Sequence, residues 1–157
     1  MRIGFGNDIH RLEPGTPLIL GGVEIPSEFG AVGHSDADAL FHAVTDAILG
    51  ALAVGDIGSH FSDTDKRWKD ADSLIFLREA IRLMKEKNYE MENVDSVISL
   101  EKPKLRSFIE KMRENLAKEL EVGLDQVSIK AKTGEGLDSV GESRAIKAEA
   151  CILLRET

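Results

Sequence analysis

An alternating apolar pattern near the C-terminus is the feature that most constrains the fold. Successive side chains of a β-strand point to opposite faces, so a strand here places one apolar set on a single side: Ile146, Ala148, Ala150, Ile152 and Leu154. That side must be buried against a second layer. Two upstream segments have the apolar spacing of packed helices: Leu74, Leu77, Ile81 and Met84, then Leu105, Phe108, Ile109, Met112, Leu116 and Leu120. The sequence predicts an α+β fold, with about three helices covering one face of a mixed β-sheet.

The remaining elements fit this architecture. Further strands are predicted over about 2–11, 94–100 and 127–131, and a small β-hairpin at 18–25 turns at two glycines. A helix is predicted from Ser35 to Leu52, with Asp38 completing an approximate capping box. Residues 56–70 form a predicted loop, and Pro103 is placed in the first turn of the last long helix. No repeat or linker interrupts the chain, so we expect a single domain over residues 1–157.

Composition excludes several classes of function. Hydrophobic residues make up 42% and charged residues 31% of the chain, which is typical of a globular protein. A formal net charge of -8 and the lack of a basic stripe argue against nucleic acid as a partner. No apolar run approaches membrane-spanning length, and no signal peptide precedes the first strand. The single cysteine, Cys151, indicates a core or interface residue rather than a disulfide. We therefore expect a cytoplasmic protein that binds neither nucleic acid nor membrane.

Three side chains suggest a metal site. Asp8 and His10 would face the same side of a strand, and His42 on the following helix could complete a set of one carboxylate and two imidazoles. Such a set leaves one position of a tetrahedral ion open, as in catalytic centres. On spacing alone, a strand rim without chemical role explains the pattern equally well. Asp38 or Asp46 could accept the second N–H of a metal-bound His42, or both could belong to a solvated helix face.

Two further segments could bind phosphate. His34 and Ser35 precede a predicted helix N-terminus, where free N–H groups and the helix dipole favour anions. The alternative, which is compatible, is that Ser35 caps the helix. Thr133 and Glu135 lie among glycines after a strand, where a hydroxyl and a carboxylate could hold a phosphate and a hard cation such as magnesium. Taken alone, this second segment is better interpreted as a turn.

Together these residues resemble the 2-C-methyl-D-erythritol 2,4-cyclodiphosphate synthases, a family of the non-mevalonate isoprenoid pathway. The resemblance covers essentially the whole chain, and its ordered motifs are too many for a chance match. It raises the metal site from one alternative among several to the expected one. The motifs are Asp8-Ile9-His10, Gly21-Gly22-Val23-Glu24-Ile25-Pro26, His34-Ser35-Asp36-Ala37-Asp38 with His42, Thr45-Asp46-Ala47, Gly55-Asp56-Ile57-Gly58, Phe61-Ser62-Asp63-Thr64-Asp65, Pro103-Lys104 and Thr133-Gly134-Glu135.

The resemblance implies a CMP-forming cyclase, a metal-dependent phosphorus-oxygen lyase. Its substrate is 4-diphosphocytidyl-2-C-methyl-D-erythritol 2-phosphate, a cytidine diphosphate derivative. The 2-phosphate oxygen attacks the diphosphate phosphorus nearer the erythritol, expels CMP and closes a cyclic diphosphate. The resemblance also implies a homotrimer with three active sites, each at a junction between neighbouring subunits.

Residue roles carry over from the family by similarity. The resemblance places zinc, or manganese or cobalt, on Asp8, His10 and His42, and magnesium on Glu135. His34 and Thr133 correspond to the transition-state-stabilising pair. The remaining substrate-binding positions form two groups. Ser35 accompanies His34 beside the methylerythritol phosphate pocket, which is formed by Asp56, Ile57, Gly58, Phe61, Asp63 and Asp65; the cytidine and diphosphate region comprises Leu100, Pro103, Lys104, Leu105, Arg106, Ala131 and Lys132.

Three positions depart from the family pattern. Lys132 stands where threonine is frequent, and Ser139 stands where an aromatic residue is frequent. At a trimer-axis cavity that can hold isoprenoid diphosphates, the family commonly has arginine and then glutamate. Here the order is Glu142 and then Arg144. We expect these two side chains to pair, and we do not carry over the cavity's ligand.

Two other functions are compatible with the same residues. A zinc-dependent phosphohydrolase would use the metal set with water as the nucleophile. A non-catalytic isoprenoid-diphosphate-binding trimer would retain the metal residues as a relic. The hydrolase is disfavoured because it must admit and orient water, whereas the Lys104 and Thr133 regions resemble a nucleotide clamp. The non-catalytic protein is disfavoured by four intact metal residues: Asp8, His10, His42 and Glu135. No serine, cysteine or general-base dyad is evident, and a cyclase whose nucleophile belongs to the substrate needs none.

Overall fold

A five-stranded mixed sheet forms the centre of the computed structural model, which describes residues 1–62 and 64–157. The strands of the protein are β1 (Arg2–Pro14), β2 (Leu18–Leu20), β3 (Val23–Ile25), β4 (Phe29–Val32), β5 (Tyr89–Ser99), β6 (Val127–Lys132) and β7 (Ala145–Glu156). The strand order in the five-stranded sheet is β4-β1-β7-β5-β6. β5 and β6 pair in parallel, and the other neighbouring strands of this sheet pair antiparallel. β2 and β3 form the separate hairpin that the glycine pair predicted.

The helices cover one face of this sheet, as the alternation in β7 requires. The apolar residues named for β7 are all buried, and the core extends from them into the helical layer. The α+β fold with a mixed sheet is therefore confirmed. The helices are α1 (Ala39–Ala51), α2 (Ile57–His60), α3 (Leu74–Glu86), α4 (Ile109–Leu120) and α5 (Asp138–Gly141), with 3-10 turns at Lys66–Trp68 and Leu124–Gln126.

Three predicted boundaries are wrong. α1 begins at Ala39 and not at Ser35, because Asp38 is the N-cap and its carboxylate accepts the backbone N–H of Phe41 at 3.1 Å. The predicted loop over 56–70 contains α2 and a 3-10 turn. Pro103 lies outside the last long helix, which begins at Ile109.

Two glycines in β1 allow α1 to lie directly on the sheet. A Cβ atom at Gly4 would lie 1.9 Å from the carbonyl oxygen of Ala47, and one at Gly6 would lie 2.1 Å from that of Ala43. No larger residue fits at either position without moving the helix. Because His42 immediately precedes Ala43, this close approach places His42 beside the residues that follow Gly6 in β1.

The opposite face of the sheet is open and partly apolar. Ile3, Phe5 and Ile9 of β1 alternate with the helix-facing residues and are 73%, 59% and 57% exposed. Cys151 pairs with Phe5 across β1 and β7 and is also exposed. The core alternative for Cys151 is therefore wrong, and the interface alternative stays a prediction. Among the described residues, no helix combines the length and the apolar character needed to cross a membrane.

Candidate metal centre and active-site clefts

Asp8, His10 and His42 converge on one point between β1 and α1. The Oδ2 atom of Asp8 lies 2.7 Å from His10 Nε2 and 3.1 Å from His42 Nδ1. The two ring nitrogens are 3.3 Å apart. A tetrahedral zinc ion with bonds of ~2.0–2.2 Å separates its ligand atoms by roughly 3.3 Å, so this donor set fits such an ion. A possible metal-binding site is therefore present at these three residues.

The electrostatics of the cluster favour a cation. Burial alone would raise the pKa of the Asp8 carboxyl, but the hydrogen bonds and charges of His10 and His42 outweigh it and lower the pKa well below its usual range. Burial would lower the pKa of His10, but the hydrogen bond and charge of Asp8 raise it above the usual 6.5. An ionised carboxylate thus lies between two imidazoles, in a place where positive charge is stabilised.

The second ring nitrogen of His42 contacts neither carboxylate considered from the sequence. Asp38 is fully buried and its two oxygens accept the backbone N–H groups of Gly21, Gly22 and Phe41. Asp46 accepts a backbone N–H of the 56–58 segment. Both predicted partners are therefore wrong.

His42 Nε2 instead lies 2.8 Å from the hydroxyl of Ser73 and 3.1 Å from that of Ser35. Ser73 lies at the start of α3, and sequence spacing gave no signal for it. Its contact with His42 arises from the packing of α3 against α1.

A cleft of 310 Å³ opens beside the metal centre. It combines imidazole and hydroxyl groups with an apolar wall in which the rings of Phe61 and Phe76 lie 4.6 Å apart, centroid to centroid. Trp68 packs edge-on against Phe61 at 5.2 Å. Trp68 and Phe76 also line this cleft and were missed from the sequence. The other seven lining residues were all predicted to bind substrate or metal: His10, His34, Ser35, His42, Ile57, Gly58 and Phe61.

The other predicted residues of this region lie around the cleft. Asp56 caps α2 and accepts hydrogen bonds from the N–H and hydroxyl of Ser59 at 2.8 and 2.6 Å. Asp65 pairs with Arg67, and its carbonyl oxygen lies 3.3 Å from His34 Nε2. Asp63 lies outside the described residues.

A second cleft, of 330 Å³, lies where β5 and β6 end. The cis peptide bond between Lys102 and Pro103 shapes the segment that follows β5. Thr133 and Ile109 line this cleft, and Ile109 was not predicted. The other lining residues are the whole predicted cytidine and diphosphate group: Leu100, Pro103, Lys104, Leu105, Arg106, Ala131 and Lys132.

The segment after β6 holds the predicted magnesium ligand. The Thr133 hydroxyl donates to the Glu135 carboxylate at 2.9 Å. Glu101, which sequence reasoning missed, accepts the backbone N–H of Gly134 at 3.0 Å and ties this segment to the one after β5. Glu135 is exposed. One exposed carboxylate suits magnesium, which usually takes one or two carboxylates and completes its shell with water and substrate phosphate.

The two clefts share no lining residue. The metal centre is on β1 and the second cleft is beside β6, with β7 and β5 between them. Neighbouring strands lie ~4.8 Å apart, so three spacings separate the two sites by roughly 14 Å within one chain.

An α+β fold that carries a half-buried Asp-His-His cluster beside a cleft is typical of a metal-dependent enzyme, and this is the class of protein that the fold and the site indicate. The chain belongs to the YgbB family, whose model matches residues 1–155. The family expected from the motifs is thereby confirmed.

Two relatives and one solved structure illustrate the similarity. The chain is 54% identical to a 2-C-methyl-D-erythritol 2,4-cyclodiphosphate synthase of Solibacter usitatus, covering 99% of this chain and 98% of the relative. It is 53% identical to the synthase of Brachyspira hyodysenteriae, covering 100% and 99%. A solved synthase structure in a CDP-bound form superposes with a TM-score of 0.91 at 42% identity, covering 98% of this chain and 100% of the other.

Proposed function

We propose that this protein converts 4-diphosphocytidyl-2-C-methyl-D-erythritol 2-phosphate into 2-C-methyl-D-erythritol 2,4-cyclodiphosphate and CMP. The observation that carries the proposal is the convergence of Asp8, His10 and His42 beside a cleft, in a chain with full-length synthase relatives. A 2-phosphate oxygen forms a bond to the diphosphate phosphorus nearer the erythritol. The bond from that phosphorus to the bridging oxygen breaks, and CMP leaves with the electron pair. Residues 1–157 form one catalytic domain.

The reaction needs positioning and neutralisation of phosphoryl charge more than it needs a protein nucleophile. Asp8, His10 and His42 would hold zinc, or manganese or cobalt, and Glu135 would hold magnesium. Bound cations would withdraw charge from the phosphoryl oxygens. His34 and Thr133 donate hydrogen bonds to those oxygens as the phosphorus–oxygen bonds change.

The two clefts divide the substrate between them. The Ile57–Gly58 backbone and Phe61 enclose the methylerythritol phosphate beside the metal centre, with Asp56 and Asp65 around it. The second cleft takes cytidine, largely through backbone groups. Lys104 and Lys132 line this cleft and contact the diphosphate of the bound substrate. Bound CDP in a solved relative supports a cytidine diphosphate ligand.

A complete site is formed by two copies of the chain. The metal centre and the cytidine cleft are roughly 14 Å apart within one subunit, by strand spacing, and the two clefts share no lining residue. The open sheet face with Ile3, Phe5 and Ile9 offers an apolar surface for self-association. The homotrimer that the family resemblance implies would join the metal centre of each subunit to the cytidine cleft of its neighbour, and would give three equivalent sites.

The axial region of the trimer differs from the family pattern. Arg144 and Glu142 form an ion pair with a distance of 2.6 Å, as expected from their order. Arg144 is thereby engaged, and Glu142 repels diphosphate. This pairing disfavours the isoprenoid-diphosphate-binding function.

Product identification tests the proposed reaction against its alternatives. The purified protein is incubated with the cytidylyl substrate, zinc and magnesium, and the products are assigned by phosphorus NMR. We expect CMP and the cyclic diphosphate. CMP with methylerythritol 2,4-bisphosphate, whose two phosphates are not joined to each other, would establish the hydrolase, and absence of turnover would favour the non-catalytic binding protein.

Complementation tests the shared site. His42→Ala and Lys104→Ala variants, each impaired alone, are co-expressed with different affinity tags so that mixed trimers can be isolated. In every mixed trimer one of the three junctions combines an intact metal centre with an intact cytidine cleft, because the interfaces repeat head to tail. We expect activity to return towards that fraction of wild type. Mixed trimers as inactive as the parent variants would place the whole site within one subunit.

A further inference from the structure

We propose that Ser73 and Asp36 act as a positioning pair that orients His42 for metal binding. This inference rests on the metal centre of the proposed function and adds a residue pair outside its ligand set. Ser73 is 0% exposed and its Oγ lies 2.8 Å from His42 Nε2. The same Oγ is hydrogen-bonded to Asp36 Oδ1. His42, Ser73 and Asp36 therefore form a continuous chain of hydrogen bonds.

The direction of these bonds follows from the groups involved. An ionised carboxylate has no proton to donate, so the single hydroxyl proton of Ser73 goes to Asp36. The Ser73 oxygen can then only accept from His42, which requires the proton to be on Nε2. With the proton fixed on Nε2, His42 Nδ1, which lies 3.1 Å from Asp8 Oδ2, can present its lone pair to a cation bound at the cluster, as a metal ligand needs.

The conformation of Ser73 gives independent support. Ser73 directly precedes α3 and already has helical backbone angles, unlike an N-cap serine, whose extended backbone lets its hydroxyl accept an N–H of the first turn. Its side chain makes no such bond. Instead, Asp72 accepts the N–H of Leu74 at 2.8 Å. The Ser73 hydroxyl therefore does not cap the helix and instead contacts His42 and Asp36.

Asp36 is itself fixed by the backbone. Its Oδ1 accepts the N–H of Asp38 at 3.1 Å, and its Oδ2 accepts the N–H of Ser73 at 3.2 Å. Its own N–H donates to the carbonyl of Ala71 at 3.0 Å. The pair therefore connects the segment before α1 to the start of α3, and His42 is held between them. Ser35, at 3.1 Å from His42 Nε2, makes a longer contact from the cleft side.

Zinc affinity measures this role without recourse to catalysis. Metal-free wild type, Ser73→Ala and Asp36→Asn are titrated with zinc in competition with a chromogenic chelator. We expect Ser73→Ala to bind zinc about 10–100-fold more weakly, the usual effect of losing a partner of a ligating histidine. Asp36→Asn should lose less, because an amide oxygen still accepts from Ser73 but carries no charge.

Ser96→Ala is the matched control. Ser96 is 2% exposed and its hydroxyl donates to the carbonyl of Ser128 at 3.0 Å, so its removal also deletes a buried hydroxyl hydrogen bond. It should leave zinc affinity unchanged. A second readout, taken on the metal-free proteins, is the nitrogen NMR spectrum of the His42 ring, in which the fraction of the Nε2–H tautomer should be lower in Ser73→Ala than in wild type.

Each other result contradicts a defined statement. A folded Ser73→Ala that binds zinc within twofold of wild type would overturn the positioning role, as would an equal loss in Ser96→Ala. If Ser73→Ala does not fold, the zinc affinity of Asp36→Asn becomes the test. A zinc affinity of Asp36→Asn equal to that of wild type would overturn the positioning role. Wild type that binds no zinc would overturn the metal centre itself, and the inference with it.

Discussion

The Oδ1 atom of Asp46 accepts the backbone N–H of Ile57 at 2.7 Å and thereby fixes the cleft-lining 56–58 segment to α1. Burial raises the pKa of Asp46, and the opposing effect of this hydrogen bond is smaller. We predict that Asp46→Ala raises KM for the cytidylyl substrate about five- to tenfold, since an unmade buried hydrogen bond costs roughly 1–3 kcal/mol. Steady-state kinetics measure this. Asp46→Asn keeps an acceptor oxygen and serves as the control; an equal KM change in both variants would show that charge, not the hydrogen bond, matters.

His42→Ala should abolish tight zinc binding and nearly all turnover while the fold persists. Two remaining ligands hold a catalytic ion poorly. The apolar side of α1 is unchanged by the substitution, so the core stays intact. Elemental analysis of the purified variant measures the metal. His60→Ala is the control, because His60 contacts the carbonyl of Val54 at 2.9 Å and lies outside the metal cluster. One zinc per subunit retained in His42→Ala would remove His42 from the ligand set.

Glu135→Gln should raise the magnesium concentration needed for half-maximal activity several-fold, with zinc content unchanged. A neutral amide is a poorer ligand for a hard cation. Glu135 follows β6, which β7 and β5 separate from β1, so the substitution should leave the zinc ligands unchanged. Activity is titrated against magnesium in wild type, Glu135→Gln and Glu110→Gln, the last being an exposed carboxylate on α4. Superimposable magnesium curves for the first two would mean that Glu135 is only a turn residue.

Asp38 should make stability depend on pH. Burial raises its pKa from the usual 3.8 to about 6, although three backbone N–H groups oppose the change. The folded state then binds more protons than the unfolded state between these values, so the free energy of unfolding falls as pH rises from about 4 to 6, by roughly 3 kcal/mol. Urea unfolding of wild type and Asp38→Asn across this range isolates the contribution. A stability difference between them that is constant with pH would contradict it.

The sequence predicted the framework because local patterns determined it. The alternation in β7 and the glycine turn between β2 and β3 are properties of neighbouring residues, and both elements form where expected. The pair of Asp8 and His10 followed from the two-residue period of a strand. The ligand set could be named because motif order supplied what spacing alone left open.

What the sequence did not predict depends on contacts between distant segments. Ser73 meets His42 only because α3 packs on α1, and no periodicity connects positions so far apart. Asp38 appeared to belong to an acidic helix face, but the hairpin turn covers it and its carboxylate is fully buried. The sequence did not indicate Phe76 as a cleft residue because an apolar residue in a helix ordinarily belongs to the core. It did not indicate Trp68 because the 3-10 turn that contains it lies within a polar stretch.

Oxygen-isotope labelling tests the central claim most directly, because the proposed reaction takes its nucleophile from the substrate and not from water. Turnover is run in water enriched in oxygen-18, and both products are analysed by mass spectrometry. Intramolecular attack by the 2-phosphate predicts that neither CMP nor the cyclic diphosphate gains a labelled oxygen. Labelled oxygen in the 4-phosphate of a methylerythritol 2,4-bisphosphate, or in CMP itself, would show that water is the nucleophile and would contradict the account.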